Sequence, residues 1–175
     1  MADLVVPPGS LIALIGPAGS GKSTLAAASV PAKAILSSDA FRARIGSGEA
    51  DQSVTGAAFA ALHRALDRRL SAGTTTVVDA TNLTAPARAA LLGLARRHGA
   101  TPVAIVLDLP PDLVIARNAG RVGRVVPEPA VRRQLAMLRA ITDEMLLREG
   151  FAVVRRITSN DHVAALRVVP GQVPD

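Results

Sequence analysis

The segment Gly16-Pro17-Ala18-Gly19-Ser20-Gly21-Lys22-Ser23-Thr24 constrains this chain more than any other. It follows five consecutive apolar residues, Leu11–Ile15, which read as a buried parallel strand. It opens a helical stretch from Lys22 to about Val30. Gly16-x4-Gly21-Lys22-Ser23 fits the full Walker A pattern in the strand–loop–helix context that the pattern needs. Glycines let backbone N–H groups turn inward around phosphate oxygens, and the helix N-terminus adds partial positive charge. Gly16, Ala18, Gly19, Ser20, Gly21, Lys22, Ser23 and Thr24 are therefore the candidate nucleotide-binding residues. Lys22 is expected to reach the β and γ phosphates of ATP, and the Ser23 hydroxyl to ligate Mg²⁺. The chain has eighteen arginines and two lysines, Lys22 and Lys33. A GC-rich codon bias accounts for the arginines, yet a lysine is kept inside the loop, where a compact ammonium suits phosphate.

The rest of the chain alternates apolar runs with helical patterns. Further strands are expected at Ala34–Leu36, Thr74–Val78, Val103–Leu107 and Ala152–Ile157. Helices are expected after Asp39, from Val54 to Leu70, from near Pro86 to His98, from Pro111 to about Asn118, and as one long element from Ala130 to about Arg148. The alternation predicts an α/β fold, a parallel sheet with helices on both faces. All 175 residues are read as one domain with its core at about 10–157, and 158–175 as a tail or an extra edge element.

Several polar residues fall where the strands of such a sheet would end, which is where ligands bind. Asp39 follows the second strand, with Arg42 one helical turn on. Asp39 could take a proton from an attacking hydroxyl, or simply cap the helix. Arg42 could hold an acceptor phosphate. Asp79 ends an apolar strand and resembles a Walker B acid holding a metal-bound water. Asn82, in the same turn, contacts substrate or shapes the loop. Arg117, Arg121 and Arg124, spaced by four and three, would share a face if a helix ran through them. With Gly120 and Gly123 they form a candidate mobile lid over the phosphates, the alternative being a solvated basic face. His63, His98 and His162 are isolated and make no metal cluster.

Bulk properties set limits. There is no cysteine, so thiolate chemistry is excluded. Phe41, Phe59 and Phe151 are the only aromatics, so base stacking would be scarce and phosphate contacts would dominate any nucleic-acid interface. A formal charge of +6 suits a polyanionic substrate. Residues 1–8 lack the features of a signal peptide, and no apolar stretch approaches a membrane span, so a cytoplasmic protein without membrane contact is expected.

Together with the glycine loop, Ser37-Ser38-Asp39-Ala40-Phe41-Arg42, Asp51-Gln52-Ser53-Val54-Thr55-Gly56-Ala57-Ala58-Phe59, Val77-Val78-Asp79-Ala80-Thr81-Asn82 and Arg117-x3-Arg121-x2-Arg124 resemble the polynucleotide 5′-hydroxyl kinase domain of bacterial RNA end-healing enzymes. The resemblance spans about Leu11 to Ile157. It implies a P-loop NTPase fold with an adenylate-kinase-like sheet of order 2-3-1-4-5 and an arginine lid. It also implies roles: Asp39 as general base for the 5′-hydroxyl, Arg42 on the phosphate beside the acceptor nucleoside, and Gln52, Val54 and Thr55 in the acceptor pocket. Arg117, Arg121 and Arg124 would lie over the donor phosphates, with Lys22 and Arg124 stabilising the transferring group. In the end-healing enzymes this domain is joined to phosphatase and nucleotidyltransferase domains. A chain that carries the kinase alone also admits another acceptor, such as a nucleoside, a nucleoside antibiotic or a small alcohol. An ATP-binding switch with no acceptor is the reading of a different class.

Overall fold

A computed structural model describes residues 3–49, 51–122 and 124–171. The strands are β1 (Leu4–Val6), β2 (Leu11–Ile15), β3 (Ile35–Ser37), β4 (Thr76–Asp79), β5 (Pro102–Leu107), β6 (Val153–Ile157) and β7 (Val168–Pro170). The helices are α1 (Lys22–Ser29), α2 (Ser38–Ile45), α3 (Thr55–Ser71), α4 (Ala85–His98), α5 (Pro111–Ala119), α6 (Glu128–Arg139), α7 (Asp143–Glu149) and α8 (Asn160–Ala165). Five strands form one parallel sheet in the order β3-β4-β2-β5-β6. Counting only the five expected strands, this is the order 2-3-1-4-5.

Strand alternation explains why β2 is apolar throughout. Ile12 and Leu14 enter one core, with Leu25 of α1, Val114 of α5, and Val131 and Leu135 of α6. Leu11, Ala13 and Ile15 enter the other, with Leu62, Leu66 and Leu70 of α3, Leu91 and Leu92 of α4, and Leu146 of α7. Both faces of the central strand are thus buried, as a parallel sheet requires. The α3 residues Ala58, Leu62, Leu66 and Leu70 recur every fourth position and are all buried.

Two expectations are corrected. The single helix over Ala130–Arg148 is two, because the chain breaks at Ala140–Thr142. Thr142 is extended, its side chain accepts the Met145 N–H, and Asp143 and Glu144 fill the first turn that follows. Arg156 of β6 holds the break by donating to the Ile141 carbonyl at 2.7 Å and the Asp143 carboxylate at 2.8 Å. Residues 158–171 are neither a loose tail nor an edge of the main sheet. They form α8 and then β7, which pairs in parallel with β1 as a separate two-stranded sheet. Leu166 and Val168 join the first core there with Leu4 and Val6. Residues 172–175 lie outside the described residues. Among the described residues, no helix is long and apolar enough to cross a membrane.

Candidate active site

The glycine loop joins β2 to α1 and is fixed from both sides. Gly16 N–H donates to the Thr81 carbonyl at 3.0 Å. A Cβ at Gly16 would lie 2.8 Å from Ser20 Oγ and 3.1 Å from the Leu107 carbonyl oxygen, so no larger residue fits. Gly19 and Gly21 adopt φ of +84° and +92°, a region that favours glycine. Lys22 begins α1, and its ammonium donates to the carbonyls of Gly16 (3.0 Å) and Pro17 (2.7 Å). Burial lowers its pKa from 10.5 to about 8, opposed by the charge of Asp79. Ser23 Oγ donates to Asp79 Oδ2 at 2.7 Å. This hydroxyl–carboxylate pair is an all-oxygen, hard donor set of the kind Mg²⁺ takes, with phosphate oxygens and water completing its shell. Among the described residues, no group of three or more His, Asp or Glu side chains is arranged to hold a metal on its own.

Across a cavity of about 580 Å³ stands Asp39, in the first turn of α2. It does not cap that helix: Ser37 does, accepting the Ala40 N–H. The Asp39 carboxylate is instead the meeting point of three guanidinium groups. It is paired with Arg42, accepts from Arg124 at 2.8 Å, and lies 4.0 Å from Arg121. Arg42 is buried and also donates to the Glu49 carbonyl at 2.9 Å. Burial first, then the charge of Arg124, lowers its pKa. The pKa of Arg124 is lowered likewise, by burial and by Arg121.

The lid arginines all line the cavity, though not as one helical face. α5 ends at Ala119, so only Arg117 is helical, while Arg121 and Arg124 project from the irregular segment before α6. That segment is anchored where Asn118 Nδ2 donates to the Val126 carbonyl at 2.7 Å and Val126 N–H donates back at 3.2 Å. Gly123 lies outside the described residues. Arg117 donates to Asn160 of α8.

Of the residues expected at the acceptor, Arg42, Gln52 and Thr55 line the cavity, while Val54 and Asn82 do not. Val54 is half-buried and faces Gly46. Asn82 is buried at φ +49°, and its Nδ2 donates to the Leu14 carbonyl at 2.7 Å, so it shapes the turn after β4. Gly16 and Ser20 sit behind the cavity wall; Ser20 Oγ is buried without a hydrogen-bond partner.

Asp51 organises the approach to Gln52. Its carboxylate accepts from the backbone N–H and hydroxyl of both Ser47 and Ser53. Those bonds, the Ser53 hydroxyl first, hold its pKa down at about 2 against an ordinary 3.8. A depressed carboxylate pKa stabilises the folded loop fully above pH 3.8, and the effect fades as pH falls through 2. Amide protection at Ser47 and Ser53 is therefore expected to be intact at pH 5 and to disappear toward about pH 2 ahead of the core amides, by hydrogen exchange. Asp51→Asn should show the same local loosening at neutral pH.

Sequence reading missed Gln134, Asn160 and Val163, which also line the cavity. Gln134 was detectable as the polar member of the inward α6 stripe Val131, Leu135, Leu138. Asn160 and Val163 lie on a six-residue helix with no periodic signal to find.

Comparison with known proteins supports the architecture. Among curated proteins none matches the sequence. Solved structures do. A chain of the Pnkp1/Rnl/Hen1 RNA repair complex superposes with a TM-score of 0.63 at 21% identity, over 80% of this chain and 46% of its own length. The chain thus spans about half of that subunit. A sugar kinase from Janibacter sp. HTCC2649 matches with TM-score 0.55 and 23% identity, over 86% of this chain and 84% of its own. A gluconokinase from Sinorhizobium meliloti 1021 matches with TM-score 0.56 and 18% identity, over 90% and 87%. At these identities the likeness concerns the fold, which is that of the P-loop kinases. The sequence model of the AAA domain matches residues 11–143, from β2 to the start of α7, and so takes in the glycine loop, Asp39, Asp79 and the lid arginines. The chain belongs to this AAA domain family, built on the P-loop kinase fold.

Proposed function

We propose that the protein transfers the γ-phosphate of ATP, with Mg²⁺, to the 5′-hydroxyl of a DNA or RNA end. The observation that carries this reading is the carboxylate of Asp39, placed across the cavity from Lys22 and Ser23 and ringed by Arg42, Arg121 and Arg124. A nucleotide grip alone needs no such carboxylate; a transfer site does. The hydroxyl oxygen bonds to the γ-phosphorus, its proton passes to Asp39, and the bond to the ADP oxygen breaks. Lys22 and the lid arginines offset the charge spread over the phosphoryl oxygens. Ser23 and Asp79, the latter through water, would hold Mg²⁺, which would supply charge neutralisation for the phosphates. Arg42, about one helical turn from Asp39 and deeply buried, suits a phosphate one nucleotide inward from the attacked end. The RNA repair context of one structural neighbour agrees with such an acceptor.

A second reading, a small-molecule kinase, is favoured by the sugar kinase and gluconokinase, whose own lengths the chain nearly spans. One experiment separates them. ATP labelled in its γ-phosphate is offered with 5′-hydroxyl DNA and RNA oligonucleotides, with free nucleosides, and with sugars and sugar acids. Label at oligonucleotide 5′ ends is expected; label on small acceptors alone would overturn the nucleic-acid assignment. Hydrolysis with every acceptor left unlabelled would point to a switch instead.

A further inference from the structure

Gln134 sits at the seventh position of α6, on the turn between Val131 and Leu138, both buried. Apolar neighbours on that stripe fill the core, and a carboxamide there needs a reason. Its Oε1 accepts the N–H of Ala18 at 2.8 Å, a contact bridging 116 residues. The Lys22 ammonium donates to the Pro17 carbonyl at 2.7 Å. Pro17 C=O and Ala18 N–H are the two ends of one peptide group. Gln134 and Lys22 therefore grip a single peptide unit of the glycine loop from opposite sides, each polarising it for the other.

The orientation of the amide is fixed by this contact. A backbone N–H can only be met by the carboxamide oxygen, so Nε2 is the other branch. Nε2 makes no hydrogen bond among the described residues, and Gln134 lines the same cavity as Lys22, Arg121 and Arg124. Gln134 thus brings a neutral donor group to the cavity that Lys22, expected to reach the terminal phosphates, also lines.

We infer that Gln134 is a donor-site residue: Oε1 locks the Pro17–Ala18 peptide while Nε2 donates to the terminal phosphoryl group of the nucleoside triphosphate. The inference rests on the kinase reading and adds a phosphate contact from the helix that follows the lid. Gln134 also ties the lid to the donor loop, because α6 begins just after Val126, the residue clamped by Asn118.

Gln134→Glu tests it cleanly. A carboxylate still accepts the Ala18 N–H, so a purely structural latch survives, whereas the phosphate-facing donor becomes an anion. Affinities for a non-hydrolysable triphosphate analogue and for the diphosphate, each with Mg²⁺, are measured by calorimetry on the full chain. The triphosphate analogue is expected to bind about ten- to a hundredfold more weakly, from like-charge opposition, the diphosphate less than about threefold more weakly, and the melting temperature to move by less than about 2 °C. Triphosphate affinity within about twofold of wild type would overturn the inference and leave Gln134 a latch; equal losses for both nucleotides would overturn the terminal contact. Should Gln134→Glu not fold, Gln134→Met removes both polar groups. A loss of about five- to twentyfold confined to the triphosphate supports the contact, and unchanged affinity overturns it. If the wild-type chain binds neither nucleotide, the kinase reading falls as well, a result distinct from either variant outcome.

Discussion

Asp39→Asn is expected to lower the rate of phosphotransfer about 10²–10⁴-fold while nucleotide affinity stays within a few-fold of wild type. The substitution keeps the size of the side chain and one oxygen for Arg124. It removes the ability to take up a proton, and it removes the negative charge shared by three guanidinium groups. Among the described residues Asp39 makes no hydrogen bond or ion pair with the glycine loop, whose bonds run to Thr81, Gln134 and the Lys22 ammonium instead. Nucleotide binding should therefore survive, and Arg121 and Arg124, no longer held by a carboxylate, are freer to meet the triphosphate. Single-turnover transfer against equilibrium binding of a labelled nucleotide checks both halves. A variant that transfers phosphate at the wild-type rate would remove Asp39 from catalysis and, with it, the main observation behind the proposed function. A variant that loses both transfer and nucleotide affinity would show that the arginine cluster is scaffolding for the donor site.

How much of this could be read beforehand depended on whether the constraint was local. The glycine loop was legible because its backbone demands are met residue by residue: Gly16 where a Cβ has no room, Gly19 and Gly21 at positive φ. The central strands β2 and β5 were legible because burial on both faces makes each a nearly unbroken apolar run, the outer ones because short β-branched runs sit between helical patterns, and the order emerges as the resemblance implied. The break before α7 was hidden by its own pattern, since Leu135, Leu138 and Ile141 keep helical spacing across it while one threonine restarts the helix. The expectation of one helical face for the lid arginines failed for a related reason. Spacings of four and three suggested one helical face, but Arg117 alone is helical, and Arg121 and Arg124 reach Asp39 from irregular backbone after α5 ends. The structure gives Asp51 a folding role, as the acceptor of Ser47 and Ser53 that shapes the entrance to Gln52. α8 and β7 were silent because such short elements are held by tertiary contacts rather than by propensity.

Arg88 is where sequence was least informative and where the largest loss of stability is expected. Nothing local distinguishes it from the chain's other helical arginines, yet it is 2% exposed. Its Nε and Nη2 donate to the two oxygens of Glu149 at 2.6 and 2.7 Å, and Nη1 donates to the carbonyls of Asn82 (3.1 Å) and Leu83 (2.9 Å). One guanidinium thus satisfies the turn after β4 and joins α4 to α7, with a forked geometry that lysine cannot supply. Arg88→Met should cost about 3 kcal/mol, the lower end of the range for orphaning a buried partner, because Glu149 keeps 23% exposure and some solvent. For a chain of this size that corresponds to roughly 6–12 °C in melting temperature. Adding Glu149→Leu removes the stranded carboxylate and should recover part of the loss, but not all of it, since the carbonyls of Asn82 and Leu83 remain without a donor. Denaturant unfolding of the two single variants and the double closes that cycle. An Arg88→Met protein as stable as wild type would mean that the ion pair barely offsets its own desolvation. The folded fraction should still bind nucleotide, because Thr81 and Asn82 keep their separate bonds to Gly16 and Leu14. A loss of binding beyond the loss of folded protein would instead show that the glycine loop takes its shape from Arg88 through that turn.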